Sequence, residues 1–99
     1  MEPNQSAAAV TAIRIVWEGR VQGVGFRAVV QSAATRHRVT GWVRNCPDGS
    51  VESCLFGVPA AIEQTLDDVS RARGIHIQSR RTSAAAIPAA LPTTFEIRW

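Results

Sequence analysis

The stretch Thr40-Gly41-Trp42-Val43-Arg44-Asn45, then Cys46-Pro47-Asp48-Gly49, then Val51-Glu52-Ser53-Cys54-Leu55-Phe56, decides the fold. Two short runs rich in β-branched and aromatic residues flank a Pro-Asp-Gly turn signal, the pattern of a β-hairpin. In the second run Val51, Ser53 and Leu55 share one face and Glu52, Cys54 and Phe56 the other. A two-residue turn at Asp48-Gly49 would set Cys46 opposite Val51 rather than Cys54. Both cysteines are therefore expected as free thiols. Two cysteines without CxxC spacing are also too few for a metal cage, and no metal site is expected.

Upstream of the hairpin, Phe26, Val29, Val30, Ala33, Ala34 and His37 recur with the spacing of one helix face. Before that helix lies Gly19-Arg20-Val21-Gln22-Gly23-Val24-Gly25, a glycine-rich loop. The loop follows an alternating run over 12–18, with Ile13, Ile15 and Trp17 on one side. Downstream, Pro59 suits a helix first turn, and Ile62, Leu66 and Val69 make its apolar stripe. Gly74 is the expected C-cap residue, with a strand from Ile75 to about Arg81. Residues 83–92 read as an Ala- and Pro-rich loop, and Phe95, Ile97 and Trp99 alternate in a closing strand. Residues 1–11 show no period and are expected to be a tail ahead of a domain over 12–99.

The order is β-α-β-β-α-β with a short extra strand. It predicts an α+β, ferredoxin-like split-βαβ sandwich: an antiparallel sheet of four strands plus a short fifth, with two helices on one face. At 99 residues the chain suits one domain. No apolar run reaches the roughly 18 residues that span a bilayer, and the first residues lack the pattern of a secretory signal. The reading is of a cytoplasmic, monomeric protein that engages neither membrane nor nucleic acid. The net charge is +3, and all eleven cations are arginine. That balance attracts anions without saying which.

In a split βαβ the first two strands are parallel, with the third reversed between them. The glycine loop and Asn45 then lie at one sheet edge, on the order of 10 Å apart, and flank a single crevice. Backbone amides of Val21, Gln22, Gly23, Val24 and Gly25, with the unpaired N–H groups of the helix start, suit an anion there. Arg27 sits in the first helical turn, off the apolar stripe, where its guanidinium can fork two phosphate oxygens. The run Gly23-Val24-Gly25-Phe26-Arg27-Ala28 also matches a dinucleotide fingerprint. The hairpin that follows the next strand excludes the parallel sheet that fingerprint needs. His37, His76, Asp67 and Asp68 read as structural or solvated, and Trp17, Trp42 and Trp99 as core or half-buried sheet residues.

Gly19 through Arg27, then Gly41-Trp42-Val43-Arg44-Asn45, then Asp48-Gly49-Ser50-Val51-Glu52, closely resemble the acylphosphatase family. Phe95-Glu96-Ile97-Arg98-Trp99 resembles that family's closing strand, so the likeness runs over 13–99. The resemblance implies the same sandwich and the hydrolysis of acyl phosphates without a cofactor. It also implies roles. Arg27 and the loop amides would bind the phosphate of a small acyl phosphate, and Asn45 would position the attacking water. Two departures stand out. His37-Arg38-Val39 replaces the family's usual Leu-Gly-Leu, so Arg38 must turn left-handed or the helix exit must change. The Gly-Pro-rich link before the fourth strand is reduced to Arg73-Gly74. Two other readings compete. One is an acylphosphatase-like domain of a carbamoyl-phosphate-using hydrogenase maturation protein. The other is an RNA-binding module, which needs stacking aromatics on its central strands, whereas strand three here carries only Phe56, at its end, and no RNP1-like run is present.

Overall fold

A computed structural model of the chain describes residues 9–99. Its elements are β1 (Thr11–Gly19), α1 (Phe26–Arg36), β2 (Thr40–Asn45), β3 (Val51–Gly57), α2 (Pro59–Arg73), a 3₁₀ turn (Gly74–His76), β4 (Ile77–Ala84) and β5 (Phe95–Arg98). The tail expected over 1–11 falls mainly outside the described residues. Its last residue, Thr11, opens β1, and Val10 packs on Ala12, Cys54 and Phe56.

The strands form one sheet in the order β4-β1-β3-β2-β5. β3 runs antiparallel to both β1 and β2, so β1 and β2 are parallel, as the split βαβ requires. Four strands are antiparallel, as expected, and the short fifth, whose direction the sequence left open, pairs parallel to β2, with Val43 opposite Ile97 and Arg44 opposite Arg98. The reason is the loop after β4. It carries the chain from one edge of the sheet to the other, and β5 must then start beside the start of β2. Both helices pack on the face that carries Ile15, Trp17, Val43, Val51 and Leu55. Phe26, Val30, Ala33 and Ala34 of α1 and Ile62, Leu66 and Val69 of α2 close that core, and Trp17 meets Phe26 edge-on at 5.1 Å between ring centres. Each buried Val, Ile, Leu or Phe among these contributes about 1.5–3 kcal/mol by leaving water.

The hairpin turn differs from the two-residue form. Asn45, not Cys46, opposes Val51. Cys46 N–H donates to the Ser50 carbonyl at 2.9 Å, and Gly49 N–H donates to the Cys46 carbonyl at 3.1 Å. Pro47 takes the first central position of a turn, and Gly49, at φ 93°, is the bulged residue after it. Proline fixes the turn's first φ and glycine supplies the positive one, so Pro-Asp-Gly selects a bulged hairpin over a tight one. Ser50 N–H and Oγ–H both donate to Asp48 Oδ1, and these bonds hold the Asp48 carboxyl below its ordinary range. Cys46 and Cys54 are free, and burial pushes the Cys54 thiol up.

The exit of α1 answers the question posed by Arg38. It adopts φ 60°, its N–H donates to the Thr35 carbonyl, and Val39 N–H reaches back to the Ala34 carbonyl at 2.8 Å. This is a complete Schellman closure built on an arginine where glycine costs least. Gly74 is the C-cap residue of the second helix, as expected, but not in the left-handed form. Gly74 keeps helical φ −57° and the chain continues through a 3₁₀ turn, so β4 begins at Ile77 rather than Ile75 and extends to Ala84.

Asp68 was expected on a solvated face, and only Asp67 is there. The Asp68 carboxylate accepts from His37 Nε2 and Arg36 Nη1, both at 2.7 Å, and from Arg71 at 3.0 Å, tying α1 to α2. The His37 bond, ahead of the Arg36 charge, holds its carboxyl below the usual range.

Candidate active site

β1, β2 and β5 all point their C-terminal ends at one edge of the sheet, where the glycine loop joins α1. Gly25 is the N-cap of α1 in the left-handed region, φ 74° and ψ 20°, with no side-chain cap. A residue with a Cβ would be strained there. Val29 N–H makes the first intrahelical bond, to the Gly25 carbonyl. The amides of Phe26, Arg27 and Ala28 therefore have no helical partner, and the positive end of the helix dipole faces the same way.

A crevice of about 170 Å³ opens at this point, lined by Val21, Gly23, Gly25, Phe26, Arg27, Ala28, Asn45, Ile97 and Trp99. Arg27 and Asn45, eighteen positions apart in sequence (45 − 27), thus border the same small space. Asn45 reaches it because odd-numbered residues of β2 face the helices, as Val43 does. Its carboxamide makes no hydrogen bond to another described residue. Arg27 has no carboxylate within ion-pair distance among the described residues. Its Nη1–H donates to the Arg98 carbonyl at 3.1 Å, and its guanidinium lies 4.1 Å from the centre of the Trp99 ring. A guanidinium held by a carbonyl on one edge and a ring on one face keeps its remaining donors for an oxyanion.

Of the loop residues named from sequence, Val21, Gly23 and Gly25 line the crevice and the side chains of Gln22 and Val24 do not. Gln22 Nε2 donates to the Cys46 and Ser50 carbonyls, both at 2.8 Å. The Val24 carbonyl accepts from Arg73 Nε at 3.0 Å. Sequence reasoning missed Ile97 and Trp99 as lining residues, because only the parallel pairing of β5 with β2 brings them there. Trp99 is 93% exposed, unlike the half-buried sheet residue expected. Arg73 was also missed; its sole signal was a basic residue in the last turn of α2.

The opposite face of the sheet carries a different kind of arginine. Arg14 and Arg44 both hold Glu52, whose side chain is 8% exposed. Burial alone would raise the Glu52 carboxyl, but the hydrogen bonds from Arg44 and Arg14 outweigh it and hold it below its ordinary range. Trp42 lies on this face under Arg98 and Arg44, at 4.7 and 5.9 Å.

A two-helix ferredoxin-like sandwich with a glycine loop, a helix start and a lone guanidinium around one crevice defines an α+β domain whose crevice carries groups suited to an anion. Residues 13–97 match the acylphosphatase family model, and the chain belongs to that family. An acylphosphatase of Gloeobacter violaceus is 54% identical over 59 residues, 58% of this chain and 63% of that one. The match thus spans just under two thirds of that relative. An acylphosphatase of a Synechococcus species is 44% identical over 84 residues, covering 84% of this chain and 88% of its own. The crystal structure of acylphosphatase from Bacillus subtilis superposes with a TM-score of 0.79 at 28% identity, covering 92% of this chain and all of that one. Full-length HypF, in a phosphate- and nucleotide-bound form, superposes equally well at 22% identity but over 13% of its own length, a likeness of fold alone.

Proposed function

We propose that the protein hydrolyses acyl phosphates to a carboxylate and inorganic phosphate. The observation that carries the reading is the crevice shared by Arg27, Asn45 and the start of α1. Family membership supports the reaction class.

A carboxylate leaves without needing a proton, so the reaction requires no general acid. Phosphoryl transfer passes through a loose transition state, and catalysis is mainly positioning and charge stabilisation. Arg27 and the amides of the loop and first helical turn hold the phosphoryl oxygens. Asn45 both donates and accepts, so its carboxamide orients a water in line with the scissile bond. An amide is no base, and the water's proton passes to the substrate's own phosphate. The bond from phosphorus to the acyl oxygen breaks as the bond to water forms.

The substrate is a small acyl phosphate, and the protein acts as a monomer in the cytoplasm. The two free thiols suit a reducing compartment. Nucleic acid is not the partner, because Phe56 is buried with Ala12 and Cys54 instead of offering its face to a base. The test is hydrolysis of benzoyl phosphate, with a phosphomonoester as control. Release of benzoate with no cleavage of the monoester is expected, and inactivity toward benzoyl phosphate would contradict the reading.

A further inference from the structure

Gln22 was named from sequence for its backbone amide, yet its side chain does something the hydrolytic reading leaves unused. Both hydrogens of one NH₂ group are spent on one turn. Nε2 donates to the Cys46 carbonyl and to the Ser50 carbonyl, each at 2.8 Å. Those two carbonyls are the acceptors that close the hairpin itself, from Gly49 N–H and Cys46 N–H. Cys46 is the residue directly after Asn45. Gln22 stands in the loop that lines the other side of the crevice, between Val21 and Gly23.

The two walls of the crevice come from separate parts of the fold. The loop leaves β1, whereas Asn45 ends β2, with β3 between them. At the level of the crevice β3 is just starting, at Val51, opposite Asn45 and Trp17. The sheet ladder therefore holds Asn45 against β3, but no ladder bond joins the glycine loop after β1 to the turn that follows Asn45. The Gln22 side chain spans that gap.

We infer that Gln22 is a positioning residue: its carboxamide is a strut that sets the distance between the phosphate-holding loop and Asn45, and so places the attacking water relative to phosphorus. The inference rests on the proposed hydrolysis. Glutamine suits the task because the carbonyls need two donors from one planar group. Glutamate has the same length but would set a carboxylate against two carbonyl oxygens, and leucine has neither donor. The strut acts through Asn45, and in-line attack is steep in distance, with a misplacement near 1 Å costing about a hundredfold.

The test is a double-mutant cycle on the full chain. Gln22→Leu and Gln22→Glu are each made in the native protein and in Asn45→Ala. Turnover of benzoyl phosphate and inhibition by inorganic phosphate are then measured. In the native background kcat is expected to fall about tenfold or more, with the phosphate inhibition constant within about threefold. In the Asn45→Ala background the same change is expected to cost less than about threefold, because the group the strut positions is already gone. Equal losses in both backgrounds, an unchanged kcat, or a parallel loss of phosphate affinity would overturn the inference. A folded wild type without hydrolysis would instead sink the functional reading. The strut is then judged by NMR alone, where Gln22→Glu should shift the side-chain NH₂ resonances of Asn45, and unmoved resonances would reject it.

Discussion

Arg27 and Arg44 stand one on each face of the same sheet, and their surroundings are opposite. Arg44 shares a nearly buried carboxylate, Glu52, with Arg14. Arg27 meets a carbonyl and an indole ring and, among the described residues, no carboxylate. Arg36 and Arg71 resemble Arg44, for both are held by Asp68. In a chain with eleven arginines, residue type says little about role. A cation whose charge is already matched holds the fold together, whereas the one beside unpaired amides and a free carboxamide is the one proposed to bind phosphate.

The comparison is broken most directly by truncating each arginine. Arg27→Ala is expected to abolish useful turnover while leaving the melting temperature nearly unchanged. Asn45→Ala is expected to lower kcat at least about a hundredfold, in line with loss of a group aimed at the reacting centre. Arg44→Ala should do the reverse, keeping kcat within about twofold and lowering stability. Steady-state kinetics and thermal melts on the three variants check this, and full activity in Arg27→Ala or Asn45→Ala would refute their assignment.

Glu52→Gln sharpens the structural half. It leaves two half-exposed arginines without their carboxylate and should cost about 1–2 kcal/mol, the scale of a charge-assisted hydrogen bond. That corresponds to roughly 4–16 °C in Tm for a domain of this size. Glu52 and Asp68 both have carboxyls held low in the folded state. Their contribution is complete above the ordinary carboxyl pKa of about 4 and is lost as pH falls through the lowered folded values. Acid melts should therefore show stability falling below about pH 4, and Glu52→Gln should flatten that limb.

Arg38→Gly is a smaller effect of opposite sign. Relieving a left-handed arginine should stabilise the protein by about 1 kcal/mol with no change in kcat, read from a denaturant melt. The smallest effects concern the crevice in solution. With no general acid or metal assigned to the reaction, activity is expected to vary little between about pH 5.5 and 8, and to survive excess EDTA. Inhibition by chelator would require a different mechanism.

The parts of this molecule legible in sequence are those set by local period and by element order. Alternation placed Val51, Ser53 and Leu55 on one face of β3, and β-α-β-β order brought the loop and Asn45 to the same sheet edge. The positive φ of Arg38 was one of the two outcomes that the departure from Leu-Gly-Leu left open, the other being a changed helix exit. The rest depended on contacts that no period encodes. Trp99 and Ile97 reach the crevice through the parallel pairing of β5, which a ten-residue loop, 85–94, leaves open. Asp68 looks solvated on its own helix and is claimed by His37 of another. Gln22 reads as one more loop residue until a bulged turn, rather than a tight one, presents two carbonyls to its side chain.

The central claim is that phosphate goes to the Arg27 side of the sheet and not to the arginines around Glu52. Titration of inorganic phosphate into the ¹⁵N-labelled protein, followed by amide NMR, tests it most directly. The largest shifts are expected at Val21 to Ala28 and at Asn45, with Arg14 and Arg44 unmoved. Shifts centred on Arg14, Arg44 and Trp42 would contradict it.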